Sequence, residues 1–269
     1  DNSGDFKINL RFVSNISDSQ KAAFEQAAAR WSQVITVGLP GLRLRFPAND
    51  CGEGLPAFDG TIDSLLIDVQ VKPIDGPGRI LGSSGPCKIR NSSNLPGYGI
   101  MTLDATDLNT LETSGQLQAT ITHEMGHVLG FGTLWTGFGR ALATGLGNGA
   151  SCGGNPQYVG SSAVREWKKL GGAGNIPLEK GSSSADLGTC DSHWRESVFG
   201  KELMTGFIDF GLNPLSRVTV GSLEDLGYTV DYSAADPYRL PVDLGKESLG
   251  EPLRTKLIYP TGTIDDRER

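Results

Sequence analysis

Apolar and polar residues alternate over residues 7–13, where Ile8, Leu10 and Phe12 share one face of an expected half-buried strand. The spacing then turns helical. Phe24, Ala27, Ala28, Trp31, Val34 and Ile35 recur at three- and four-residue intervals and form a stripe suited to packing on a sheet. Ser17, with Gln20 three residues on, has the form of a capping box, and Gly38 and Pro40 stop the helix. Leu42, Leu44 and Phe46 alternate again, 65–71 is a richer apolar strand, and 99–104 (G-I-M-T-L-D) is another. Between these, 80–84 (I-L-G-S-S) is short, contains glycine and lies between Gly78 and Pro86, so it reads as an edge strand. A second helix is expected from Ser114 or Gly115 to Leu129. Leu117, Ile121, Met125 and Val128 form its buried face and Gly130 its C-cap.

Beyond residue 130 the organisation changes. Residues 131–192 are rich in Gly and Ser, most of all over 145–154 and 171–184. Short helices are expected at 162–170 and 218–226, and the stretch from Tyr228 onward reads as loop. The class is α+β, with five strands and two helices in residues 1–130 and a mostly irregular second part, 131–269, within one domain overall.

A content of 38% hydrophobic and 20% charged residues is that of a soluble globular chain, and no apolar run is long enough to span a membrane. A net charge of -7 argues against nucleic acid or an anionic membrane as partner. The four cysteines, Cys51, Cys87, Cys152 and Cys190, contain no C-x-x-C pair, which argues against a Cys-based zinc site. An even number in an acidic, Gly-rich chain fits two disulfides and an extracellular or periplasmic location. Three pairings are open. Cys51 with Cys87 and Cys152 with Cys190 is preferred because each closes a moderate loop. The first residue is Asp1 rather than Met, which reads as a processed mature chain.

The chemistry is concentrated in the second helix. His123-Glu124-Met125-Gly126-His127 is H-E-x-x-H. Its i, i+4 spacing puts both imidazoles on one helical face, one turn apart, where both can bind a single Zn2+ while Glu124 reaches a metal-bound water. A catalytic zinc usually takes three protein ligands. In the familiar extension H-E-x-x-H-x-x-G-x-x-H a third His would follow Gly130, but Thr133 stands at that position. The one remaining histidine is His193, separated from Gly130 by residues 131–192. Met204 follows it by eleven residues in E-L-M-T-G, the form of the Met-turn that floors metzincin metal sites.

This combination resembles the leishmanolysin family of metzincin zinc peptidases: H-E-x-x-H-x-x-G, an insertion of about sixty residues, then His193-Trp194, then Glu202 to Thr205, with 221–228 similar to that family's C-terminal helix. The resemblance covers roughly residues 60–235. It implies a metzincin-type zincin whose N-terminal part is a twisted five-stranded mixed sheet ending in the active-site helix. It also implies a secreted zinc endopeptidase that acts on peptides or proteins, with Glu124 as general base. Ile80, Leu81, Gly82 and Ser83 would pair with an extended substrate running antiparallel to them. A Cys152–Cys190 bridge would hold His193 near the helix. A monomer is expected.

Other readings stand beside this one. Glu166, in a short helix, could replace His193 as third ligand, or the metal could stabilise a non-catalytic adhesin or binding module. Asp59, Asp63, Asp68, Asp75, Asp104 and Asp107 offer the hard oxygens that Ca2+ takes, without EF-hand spacing, and solvated loop acids are the simpler reading. Trp135, Trp167 and Trp194 fit core packing better than a cleft wall.

Overall fold

A computed structural model describes residues 4–78, 80–181, 188–242 and 251–266. Part of the Gly/Ser-rich stretch, 182–184, lies outside the described residues. The first helix, α1 (Asp18–Val34), starts as its sequence prescribes. Ser17 accepts from the Gln20 amide, and the Gln20 side chain accepts from the Ser17 amide. Its stripe is fully buried at Phe24, Ala27, Trp31 and Val34.

Six strands precede residue 105: β1 (Ile8–Phe12), β2 (Leu42–Phe46), β3 (Phe58–Ile62), β4 (Leu65–Lys72), β5 (Gly82–Arg90) and β6 (Pro96–Asp104). They are followed by α2 (Ala105–Ser114) and α3 (Leu117–Val128). The second part carries the two-residue strands β7 (Thr136–Gly137), β8 (Arg140–Ala141), β9 (Ala143–Thr144), β10 (Gln157–Tyr158), β11 (Ile176–Pro177), β12 (Phe207–Ile208) and β13 (Glu251–Pro252). It also carries α4 (Ser161–Lys169), α5 (Glu196–Phe199), α6 (Arg217–Leu226), β14 (Thr255–Leu257) and β15 (Gly262–Ile264).

The main sheet has the order β1-β4-β6-β5-β14, with β15 also on β5. Only the β5–β6 pairing is antiparallel, so the sheet is mixed, as expected. Its membership differs from expectation. β2 leaves the sheet to form a hairpin with β3, and β14 and β15 come from a stretch that reads as loop. The edge strand expected over 80–84 is therefore not an edge. Ile80 and Leu81 precede β5, and Gly82, Ser83 and Ser84 pair with Thr255, Lys256 and Leu257 on the outer side. The alternating pattern L-R-T-K-L is too short to stand out from loop, yet it buries Leu253 and Thr255 and exposes Arg254 and Lys256.

The helix α2 was not legible because A-T-D-L-N-T-L-E-T-S carries few apolar residues. Its signals are local. Asp104 caps it by accepting from the Thr106 and Asp107 amides, and Gly115 ends it at φ 76. Gly115 thus terminates α2 rather than starting α3. α3 itself runs against β6, and Gly99 makes this approach close, since a Cβ there would collide with Val128. The Trp31 indole N–H donates to the Thr122 carbonyl, pinning α1 to α3.

The second part is held by aromatics. Phe131, Trp135, Tyr158, Trp194 and Phe199 form successive edge and stacked contacts, with Trp167 stacked on Phe199, so the three tryptophans belong to the core. Cys51 is bonded to Cys87 and Cys152 to Cys190. No described helix is long and apolar enough to cross a membrane.

Candidate active site

The helix α3 places His123 and His127 one turn apart, and a separate segment brings His193 to them. The three Nε2 atoms form a triangle with edges of 2.9, 3.0 and 3.1 Å. Each imidazole is oriented from behind. Nδ1 of His123 lies 2.7 Å from the Leu203 carbonyl, that of His127 2.9 Å from the Phe131 carbonyl, and that of His193 2.7 Å from the Thr189 carbonyl. A carbonyl only accepts, so each Nδ1 is the protonated nitrogen and each Nε2 turns its lone pair to the centre. Three converging lone pairs repel one another and have no proton to share. This donor set fits a cation such as zinc, and a carbonyl behind each ligating imidazole is the usual support for one.

All three histidines are buried, and their pKa values lie below the usual imidazole value. Burial pushes His127 down to about 4. Burial and the neighbouring imidazoles push His123 and His193 well down. Glu124, fully buried, is pushed up to about 7 by desolvation, opposed by the hydroxyls of Ser84 and Thr255. Ser84 donates to its Oε2. Its Oε1 is buried without a hydrogen-bond partner, a polar atom available to a group bound among the three histidines.

Beneath the helix, Met204 sits on the turn closed by the Thr205 amide bonding to the Glu202 carbonyl. A Cβ at Gly126 would lie 3.0 Å from the Met204 sulfur, so the thioether packs against the helix between His123 and His127. The turn is built on Glu202, whose role sequence reasoning missed although E-L-M-T drew attention to it. This buried carboxylate accepts from the Met204 and Ser216 amides and from the Ser216 and Thr219 hydroxyls. Ser84 and Thr255 were missed too, because both act from distant strands and carry no spacing signal.

His193 reaches the site through close backbone approach. Gly132, at φ 74, lies against the Ser192 carbonyl where a Cβ would collide. Asp191 accepts from the Gly147 and Gly153 amides beside the Cys152–Cys190 bridge. Glu166 is not at the site. It is buried under Arg165, Lys169 and Arg217, whose bonds hold its carboxyl below the usual range despite desolvation, which corrects the reading of it as a third ligand. Among the described residues, His123, His127 and His193 are the group of three or more candidate ligands. The acids considered for Ca2+ are otherwise engaged. Asp68 pairs with Arg11 and Tyr98, Asp59 with Arg43, and Asp63 with Lys7. Asp104 caps α2, and Asp75 and Asp107 accept from the Ile80 and Gly78 amides.

With this geometry in place, comparison with known families gives a match to the leishmanolysin profile over residues 58–241, more than half of the chain. The chain belongs to the leishmanolysin family. A search of curated proteins found no match. The leishmanolysin match runs from β3 past α6, so it includes the helix with both of its histidines, the third histidine and the Met204 turn. Leishmanolysin peptidases are metal-dependent, and their substrates are peptides or proteins.

Proposed function

We propose that this chain is a secreted zinc endopeptidase in which His123, His127 and His193 hold the metal and Glu124 is the general base. The observation that carries this reading is the Nε2 triangle with a buried, half-satisfied carboxylate one residue along the same helix. A zinc ion held there supplies a Lewis acid that acidifies water and polarises a peptide carbonyl. Glu124 takes the proton from the attacking water at Oε1 and returns it to the leaving amine. Ser84 fixes Oε2 and so leaves Oε1 to do this work.

Met204 forms the apolar floor of the site, and the segment 207–217 that follows it lines the pocket for the residue after the scissile bond. Two disulfides are compatible with an extracellular setting. The competing reading, a zinc-stabilised binding module, requires a fourth protein ligand to close the site, and the described group has three.

The test compares the wild type with Glu124→Ala on an unfolded protein substrate, with zinc measured on both. Loss of a general base lowers turnover by about 10²–10⁴-fold. The expected result is one zinc in each and activity in the wild type alone. Equal activity in both would remove Glu124 from the chemistry.

A further inference from the structure

The metal site is sealed. Glu124 and all three histidines have 0% exposure, although a peptidase must admit a peptide to them. On the Glu124 side the cover includes the segment 251–266, whose Thr255 hydroxyl reaches the carboxylate. It enters beside the Met204 turn, where β13 pairs with β12 and the Leu253 amide donates to the Gly206 carbonyl. It crosses to the opposite lip, where β14 pairs with β5, the Leu81 amide donates to the Arg254 carbonyl, and the Ile258 amide donates to the Ser84 carbonyl. Leu253 and Thr255 point inward and are buried, the Thr255 hydroxyl beside the Glu124 carboxylate. The lips are shaped for close backbone approach. A Cβ at Gly188 would lie 2.7 Å from the Thr255 carbonyl oxygen, and one at Gly85 would collide with that of Ile258. Past the cleft, Asp266 anchors the segment on Ser92 and the buried Arg90.

We propose that residues 251–266 are a built-in strap that occupies the peptide-binding cleft and inhibits the enzyme until it is displaced. This rests on the peptidase reading above. The direction of β14 supports inhibition rather than self-cleavage. It runs parallel to β5, whereas a substrate is expected to run antiparallel, so the strap presents its peptide bonds in the reverse order. A docked strap leaves only its undocked fraction competent, and the apparent substrate affinity falls by that fraction.

The experiment uses the full zinc-loaded chain and Leu253→Asp, which puts a carboxylate into the apolar end of the cleft only when the strap is docked. Asp266→Ala, which loosens the distant anchor, serves as a second variant. Amide hydrogen exchange at Leu253 and Ile258 reads docking, and hydrolysis of an unfolded protein reads activity. The expected result is faster exchange in both variants. Alongside it, kcat/KM rises about tenfold or more in Leu253→Asp, because the buried carboxylate disfavours docking. A synthetic peptide of residues 251–266 added to the variant should restore inhibition. Faster exchange with unchanged hydrolysis, or a peptide without effect, overturns the strap and leaves the peptidase reading standing. Faster exchange with zinc bound and no hydrolysis in any form overturns both. Cleavage between residues 253 and 257 in the zinc-loaded wild type, seen by mass, would make the segment a substrate and also overturn the proposal.

Discussion

Ser84 donates its hydroxyl hydrogen to Glu124 from the sheet, so the carboxylate beside the three histidines is aimed by β5 and not by the helix that carries it. In the proposed mechanism the chemistry thereby depends on the register between β5 and α3. Ser84→Ala removes a hydrogen bond to a charged group, worth about 1.5–3 kcal/mol. The expected outcome is a fall in kcat of about tenfold to a hundredfold. Zinc content and KM should stay close to those of the wild type, and steady-state kinetics with metal analysis checks this.

Glu202 is the keystone of the Met204 turn. It accepts four hydrogen bonds in a site where burial alone would neutralise it, and desolvation raises its pKa against those bonds. Glu202→Leu leaves four buried donors unpaired, and a loss of more than about 3 kcal/mol is expected. Because the Leu203 carbonyl orients His123, the same variant should also bind zinc more weakly. Urea unfolding and a chelator competition measure the two effects separately.

Metal removal should make stability acid-sensitive in a defined window. His127 is depressed to about 4 in the folded chain, and burial depresses His123 and His193 as well. A depressed folded pKa gives stability that is present above the unfolded value of about 6.5 and lost as pH falls towards the folded value. The metal-free protein is therefore expected to lose Tm steadily from pH 6.5 to 4. A zinc-loaded sample should hold its Tm until the acid strips the metal. Thermal melts with and without chelator across that range decide it, and a flat metal-free profile would contradict the assigned protonation.

The Cys152–Cys190 bridge spans 38 residues of the excursion that returns His193 to the helix. Loop-closure entropy for that length is worth about 4 kcal/mol. Replacing both cysteines by serine should lower stability by an amount of that order and weaken zinc binding, while loss of the Cys51–Cys87 pair, which ties β5 and does not lie on the segment carrying His193, should lower stability and leave zinc binding unchanged. Calorimetry and zinc titration on the two double variants separate these outcomes.

The features that were legible in the sequence are those written in short range. The capping box of α1, its buried stripe and the H-E-x-x-H turn each lie within one element, and periodicity reports them directly. His193 was legible because histidines are scarce in this chain. The parts that escaped depend on pairing across long separations. β2 has the same alternation whether it joins the sheet or folds on β3, and nothing in it selects the partner. β5 reads as an edge because the strand that covers it lies more than 160 residues away. The acid Glu166 sits at a plausible helical position for a ligand, and only packing reveals that three cations have claimed it.

The three carbonyls that orient the imidazoles belong to Leu203, Phe131 and Thr189, on three separate stretches of chain. Every amino acid has a carbonyl, so the hardware that aims the three proposed metal ligands is indifferent to side-chain identity at those positions. Genetic drift at 131, 189 and 203 is limited by volume and burial, not by chemistry. The site is fragile to replacement at its three histidines and tolerant at the points that steer them, so a mutational scan should show deep losses at the ligands beside shallow ones at their supports.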